Sequence, residues 1–99
     1  MILDWANQTT EDIFNGIDST AVQRVPRTIV AVAVRNLDML HAASKLDDLL
    51  ITPANRLEQL KGKWSGYHSI RIDDVYRLVF KWIEGNAQHV RMTDHQSKD

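Results

Sequence analysis

Six cations, Arg56, Lys61, Lys63, Arg71, Arg77 and Lys81, crowd into the stretch 55–82, "NRLEQLKGKWSGYHSIRIDDVYRLVFKW", of a 99-residue chain whose formal net charge is only −1. The gathering is local. Residues 1–55 carry a balance of −3 and residues 56–99 a balance of +2. So small an excess cannot draw in a polyanion by its long-range field, and any anion these cations serve must be met by local geometry. Other chemistry finds little support. With no cysteine there is neither a thiolate metal site nor a disulfide framework, and no H-x-x-x-H helix or carboxylate cluster has ligand spacing. Asp73 and Asp74 read as a turn. No glycine-rich phosphate loop or Ser-His-Asp pattern occurs, so neither a metal nor a cofactor is expected. Among the histidines, His41 falls at the end of a long helix, where a protonated imidazole complements the helix dipole, and His68 and His89 are ordinary strand positions.

The elements that must position the cations follow from the hydrophobic period. From Tyr67 onward it is two: Ile70 and Ile72 alternate with Ser69 and Arg71, and Tyr76, Leu78, Phe80 and Trp82 alternate with Arg77, Val79 and Lys81. A two-residue turn at Asp73 and Asp74 would set Ile70 opposite Arg77 and mix the faces. A three-residue loop, Asp73 to Val75, sets Arg71 opposite Arg77 and Ile70 opposite Leu78, which separates them. The same reasoning at "EGN", Glu84 to Asn86, pairs Lys81 with His89, Val79 with Arg91 and Arg77 with Thr93, with a third strand over 87–93. One face then buries Ile70, Ile72, Tyr76, Leu78, Phe80, Trp82, Val90 and Met92. The other collects Arg71, Arg77, Lys81, His89 and Arg91, with His95 emerging on that side. Like charges opposed across a sheet are destabilising, so Arg71 beside Arg77 implies an anionic partner.

Upstream, residues 1–5 form a short apolar stretch suited to an edge strand. Thr9 or Thr10 is positioned to cap a brief helix ended by Gly16. "VPRTIVAVAVRNLDMLHAASKL" is rich in β-branched residues, yet Ile29, Ala33, Leu37 and Leu40 follow the stripe of one buried helical face, widened by Val30 and Val34, and Pro26 suits the first turn. Leu46, Leu49, Leu50, Leu57 and Leu60 surround a break at Pro53. A helical turn, a loop and a short segment ending at Gly62 are expected there, with Glu58 on the same helical turn as Lys61. Trp5 and Trp82 read as core. Trp64 suits either base stacking or capping of the core edge.

Length and composition set the remaining bounds. The chain, 1–99, suffices for a single domain, with 96–99 a frayed tail. No apolar run approaches the roughly 20 residues that span a bilayer, and "MILDWANQTTED" lacks the features of a signal peptide. The expected location is the cytoplasm, with no membrane partner.

The order L-x-x-L-K-G, three residues, G, then aromatic-x-S-I-R-I, an acidic turn and aromatic-R-L-x-F resembles the HigB branch of the RelE-like toxins of bacterial type II toxin–antitoxin systems. Leu57, Leu60, Lys61, Gly62, Gly66, Tyr67, Ser69, Ile70, Arg71, Ile72, Tyr76, Arg77, Leu78 and Phe80 carry it. The resemblance runs upstream through "RNLDMLHAASKLDDL" and downstream to "TDHQ". It implies an α+β fold, with N-terminal helices packed on one face of an antiparallel sheet. It also implies a ribosome-dependent mRNA endonuclease that cuts codons in the A site. Such a toxin is neutralised by a HigA-like helix-turn-helix antitoxin and reaches operator DNA only through the antitoxin complex. The residues that the family associates with cleavage correspond here to Lys61, Arg77 and Asp94. His95 and Gln96 stand where the family has tyrosine and histidine.

Metal-independent cleavage of this kind uses the ribose 2′-OH as internal nucleophile and needs a base, charge stabilisation at the phosphate and a proton for the departing 5′-oxygen. Lys61, Arg71 and Arg77 suit the phosphate. His95 can move a proton near neutrality, with Glu58 a second candidate, and Gln96 can only hydrogen-bond. Arg56, Lys63, Arg71, Lys81, Arg91 and Gln96 are expected along the RNA. The competing reading is a RelE-fold binding module that keeps its antitoxin but has lost cleavage through the altered terminus.

Overall fold

In the computed structural model, which describes residues 1–94, three helices precede a four-stranded antiparallel sheet. Helix α1 spans Gln8–Asn15, α2 Thr20–Gln23 and α3 Arg27–Ala42. Strands β1 (Glu58–Gln59), β2 (Tyr67–Arg71), β3 (Tyr76–Ile83) and β4 (Asn86–Asp94) lie side by side in chain order. Short 3₁₀ turns at Leu46–Leu50, Pro53–Asn55 and Gly62–Trp64 fill the connections.

Helix α3 forms despite its β-branched run because its stripe has somewhere to go. Ile29, Ala33, Leu37 and Leu40 are all buried, packed with Ile70, Ile72, Leu78, Phe80 and Val90 of the sheet. Pro26 stands at its N-cap, just outside the first turn. The cap of α1 is Asn7, not Thr9 or Thr10. Its side-chain oxygen accepts from the Thr10 backbone N–H at 2.9 Å and the Thr10 hydroxyl at 2.7 Å. Thr10 itself is buried, and its Oγ1 accepts from the Met92 backbone N–H at 2.9 Å, tying α1 to the far end of β4.

Between Tyr67 and Val79 the register is the expected one: Ile70 opposes Leu78 and Arg71 opposes Arg77, across the loop Asp73–Val75. Asp73 closes that loop by accepting from the N–H groups of Val75 and Tyr76 at 2.8 and 2.7 Å. The second hairpin departs from expectation. Ile83 pairs with Asn86, so the loop is only Glu84 and Gly85, both at positive φ (50° and 81°), the geometry of a primed turn that matches sheet twist. Continued without correction, that register would place His89 opposite Phe80 in the core and turn Val90 outward. A bulge at His89, itself at φ 53°, inserts the missing residue and returns Val79 to Arg91 and Arg77 to Thr93. Lys81 therefore pairs with Gln88 instead of His89.

Residues 1–6 run parallel along the outer edge of β4, with Leu3 N–H to Ala87 O and Ala6 N–H to Val90 O both at 2.9 Å. Asp4 meets the bulge, accepting from the His89 backbone N–H at 2.6 Å and lying 3.3 Å from its Nδ1. His41 also serves this segment, for its Nδ1 accepts from the Ile2 N–H at 3.1 Å.

Thr10→Val keeps the shape of α1 but leaves the Met92 N–H without its acceptor. It should lower unfolding free energy by about 1–3 kcal/mol in denaturant melts.

Candidate functional site

Strand alternation lays out a grid on the sheet face turned away from the helices. One row runs Tyr67, Lys81, Gln88; the next Glu58, Ser69, Val79, Arg91; the third Arg71, Arg77, Thr93. Arg77 is the best-held cation of the grid. Its Nε donates to Ser69 Oγ at 3.1 Å, and a terminal nitrogen lies 3.3 Å from Glu58 Oε1. Ser69 is fully buried, so this hydroxyl is a fixed acceptor. Arg71, directly across, is ion-paired with Asp74. The anions that two opposed arginines call for are thus supplied within the chain, by Asp74 and Glu58.

Glu58 corrects an expectation. It does not share a helical turn with Lys61, because Glu58–Gln59 is a strand, β1, pairing Glu58 with Ser69 and Gln59 with His68. A two-residue strand is too short to show a period in sequence, so its contact with a residue 19 positions away had no signal. Ser69 could have been assigned to the outer face by alternation, but its burial depends on what lies above it.

The other expected residues are distributed unevenly. Lys61 and Lys63 are exposed on the loop from β1 to β2, beyond the Tyr67 end of the grid. Arg56 is exposed just before β1, at a positive φ of 46°. The Lys81 ammonium stands 5.1 Å over the Tyr67 ring, and the Arg91 guanidinium 4.6 Å over Trp64. Asp94 pairs with Tyr76, which puts it by alternation on the helix side of the sheet, across from Arg77. His95 and Gln96 lie outside the described residues. Trp64 packs neither in the core nor alone, meeting Tyr67 edge to face at 5.0 Å. Among the described residues no group of three or more His, Cys, Asp or Glu side chains could hold a metal ion, and no helix is long and apolar enough to cross a membrane.

Helices on one face of a four-stranded antiparallel sheet make the α+β fold expected of a small RelE-like protein, with an arginine–carboxylate pair on the other face. The comparisons agree. The family model described as "RelE-like toxin of type II toxin-antitoxin system HigB" matches residues 3–95. Toxin HigB-1 of Vibrio cholerae is 33% identical over 96 residues, covering 97% of this chain and 99% of that protein. An uncharacterized protein of Haemophilus influenzae is 33% identical over 72 residues, 73% of this chain and 71% of its own. The YoeB–YefM complex from Staphylococcus aureus contains a chain that superposes with a TM-score of 0.60 at 17% identity, covering 96% of this chain and 98% of that one. The chain belongs to the HigB-like toxin family.

His68, next to Ser69 on β2, stacks at 6.0 Å on Phe80, and burial holds its imidazole below the ordinary 6.5. The native state therefore prefers the neutral ring, while the unfolded chain protonates normally. This contribution to stability is complete above pH 6.5 and is lost as pH falls from there toward the folded value. Chemical denaturation between about pH 7.5 and 5 should show a steeper loss for the parent protein than for His68→Gln.

Proposed function

We propose that this toxin cleaves messenger RNA in the ribosomal A site, without a metal, by transesterification through the ribose 2′-OH. The observation that supports this most strongly is the pair of contacts that Arg77 makes with Ser69 and Glu58: a guanidinium held by a buried hydroxyl with a carboxylate beside it. In the reaction the 2′-oxygen gives its proton to a base and attacks phosphorus. A 2′,3′-cyclic phosphate closes, the bond to the 5′-oxygen breaks, and that oxygen takes a proton. In this reading Arg77 and Arg71 stabilise charge on the non-bridging oxygens, where such groups act more strongly on the transition state than on the ground state. Glu58, in reach of the same guanidinium, fits the base. His95 is assigned the proton donor, and Lys61 and Asp94 complete the set by their match to the family pattern.

The weak net charge of −1 supports dependence on the ribosome, since such a chain has little field with which to hold free RNA. Arg56, Lys63, Lys81, Arg91 and Gln96 are assigned to the RNA path. The partner that restrains the toxin is a HigA-like helix-turn-helix antitoxin, through which the pair would reach operator DNA, and all of this takes place in the cytoplasm.

Induction of the protein without its antitoxin should arrest bacterial growth, and primer extension should find translated messages cut within codons. The same RNA without ribosomes should stay largely intact; efficient cutting of naked RNA would remove the ribosome from the reading. Growth without any cleavage would favour the binding-module alternative.

Arg77→Ala and Lys61→Ala should each lower single-turnover cleavage on purified ribosomes by on the order of 10²-fold to 10³-fold. Lys61→Ala should melt like the parent, whereas Arg77→Ala, which takes the donor from the buried Ser69 hydroxyl, should also lose about 1–3 kcal/mol of stability, so its cleavage is read per folded molecule. Glu58→Gln and His95→Ala should cost roughly 10²-fold to 10⁴-fold, the range for a positioned base or acid. Loss of one limb of the pH–rate profile in each would separate the base from the acid.

A further inference from the structure

Two kinds of cation share the outer face of the sheet. Arg71 and Arg77 are each turned to a carboxylate, Asp74 and Glu58. Arg91 and Lys81 are held instead by aromatic rings, those of Trp64 and Tyr67, which touch each other nearly at right angles, 88°. Neither makes an ion pair among the described residues, and Arg91 Nε is covered with no hydrogen-bond partner there. These four side chains are one contiguous block of two rings and two cations.

Part of the block's work is to cover the sheet. Val79 is only 4% exposed although it belongs to the outer face, between Ser69 and the Arg91 that stacks on Trp64. An apolar side chain would cover a valine as well. It would not account for two cations aligned on ring faces, one of them with a covered Nε that has no hydrogen-bond partner among the described residues. Rings beside unspent cations are the pattern by which single-stranded RNA is held, with bases stacked on the aromatics and the backbone drawn to the charges.

The register places the block where a strand passing Arg77 would arrive. Arg91 and Val79 lie one same-face step from Thr93 and Arg77, about 7 Å along the strands, a span that one nucleotide of extended strand can bridge. Trp64 is partly exposed, at the tip of the loop that also carries Lys61 and Lys63.

We infer that Trp64, with Tyr67, Lys81 and Arg91, forms a subsite for one unpaired base of the RNA strand, adjacent to the nucleotide cleaved at Arg77. The inference rests on the ribonuclease reading above. Trp64 supplies the stacking surface, and Arg91 and Lys81 neutralise the flanking phosphate. The subsite recognises an aromatic base in an extended strand by its face, so it tolerates any base but not its absence.

The test is a double-mutant cycle between protein and ligand. A short 2′-O-methyl RNA, which lacks the attacking hydroxyl and is not cleaved, is titrated into the toxin at low salt and followed by NMR. The same strand is then titrated with an abasic residue at each position in turn. For the parent protein one abasic position should weaken binding by about 5-fold to 100-fold, the range for loss of one base–aromatic stack. Trp64→Leu should bind the intact strand as weakly as the parent binds that abasic strand, with no further loss when the base is removed. Trp64→Phe, which keeps a ring, should recover part of the difference and serves as the second variant if the leucine substitution unfolds the loop. Equal abasic losses in parent and Trp64→Leu would overturn the subsite and leave Trp64 as a cover for Val79. So would an absence of saturable binding by the parent at millimolar RNA and low salt, where even a chain of little net charge can hold a short strand. Cleavage is not needed for this readout. A protein that binds the base but never cuts RNA would sink the nuclease reading alone, and a nuclease whose abasic losses ignore Trp64 would sink the subsite alone.

Discussion

The register of β3 against its two neighbours is the constraint on which everything else in this structure rests. Leu78 and Phe80 must meet α3 while Arg77, Val79 and Lys81 face away, and because side chains alternate strictly along a strand, a slip of one residue would exchange the two sets. On the β2 side a three-residue loop pinned by Asp73 keeps that order. On the β4 side the tight turn at Glu84 and Gly85 would break it, and the bulge at His89 restores it. The bulge is held from outside by Asp4, so the N-terminal segment closes a sheet edge and also secures the register of the strand that carries Arg91.

The same register forces Arg71 and Arg77 together, which would be unfavourable were both charges bare. The chain answers with one carboxylate for each. The two answers differ in kind. Asp74 comes from the adjacent loop and is exposed, so its pair with Arg71 is a surface contact of small worth. Glu58 is brought across the sheet by β1, and Arg77 is also fixed from below by the buried Ser69 hydroxyl. A guanidinium so supported is already held in one orientation.

The relation to other toxins follows the same division. A chain of the YoeB–YefM complex shares the fold with only 17% of its residues identical, so the architecture tolerates wide replacement. Toxin HigB-1, at 33% identity over nearly the full length, lies within the same family. On the outer face of this chain Trp64 packs with Arg91 and Tyr67 with Lys81, which joins the loop after β1 to the centre of the sheet.

Much of this was legible in the amino-acid sequence. Period two assigned Ile70, Leu78 and Phe80 to one face and Arg71 and Arg77 to the other, and the stripe of Ile29, Ala33, Leu37 and Leu40 identified α3 through a run of β-branched residues. Both are properties of local repetition, which a chain displays along its own length. Three features were decided only by tertiary structure. Glu58 reached Arg77 because β1 exists only as an addition to β2, too short to have a period of its own. His89 became a bulge because Val90 had to return to a core built mostly by residues distant in sequence. Asn7 took the cap of α1 while Thr10 turned to the Met92 backbone, a partner 82 positions away. Sequence determines what repeats along a chain, whereas single contacts between distant segments are settled by the burial and hydrogen bonding that the assembled fold demands.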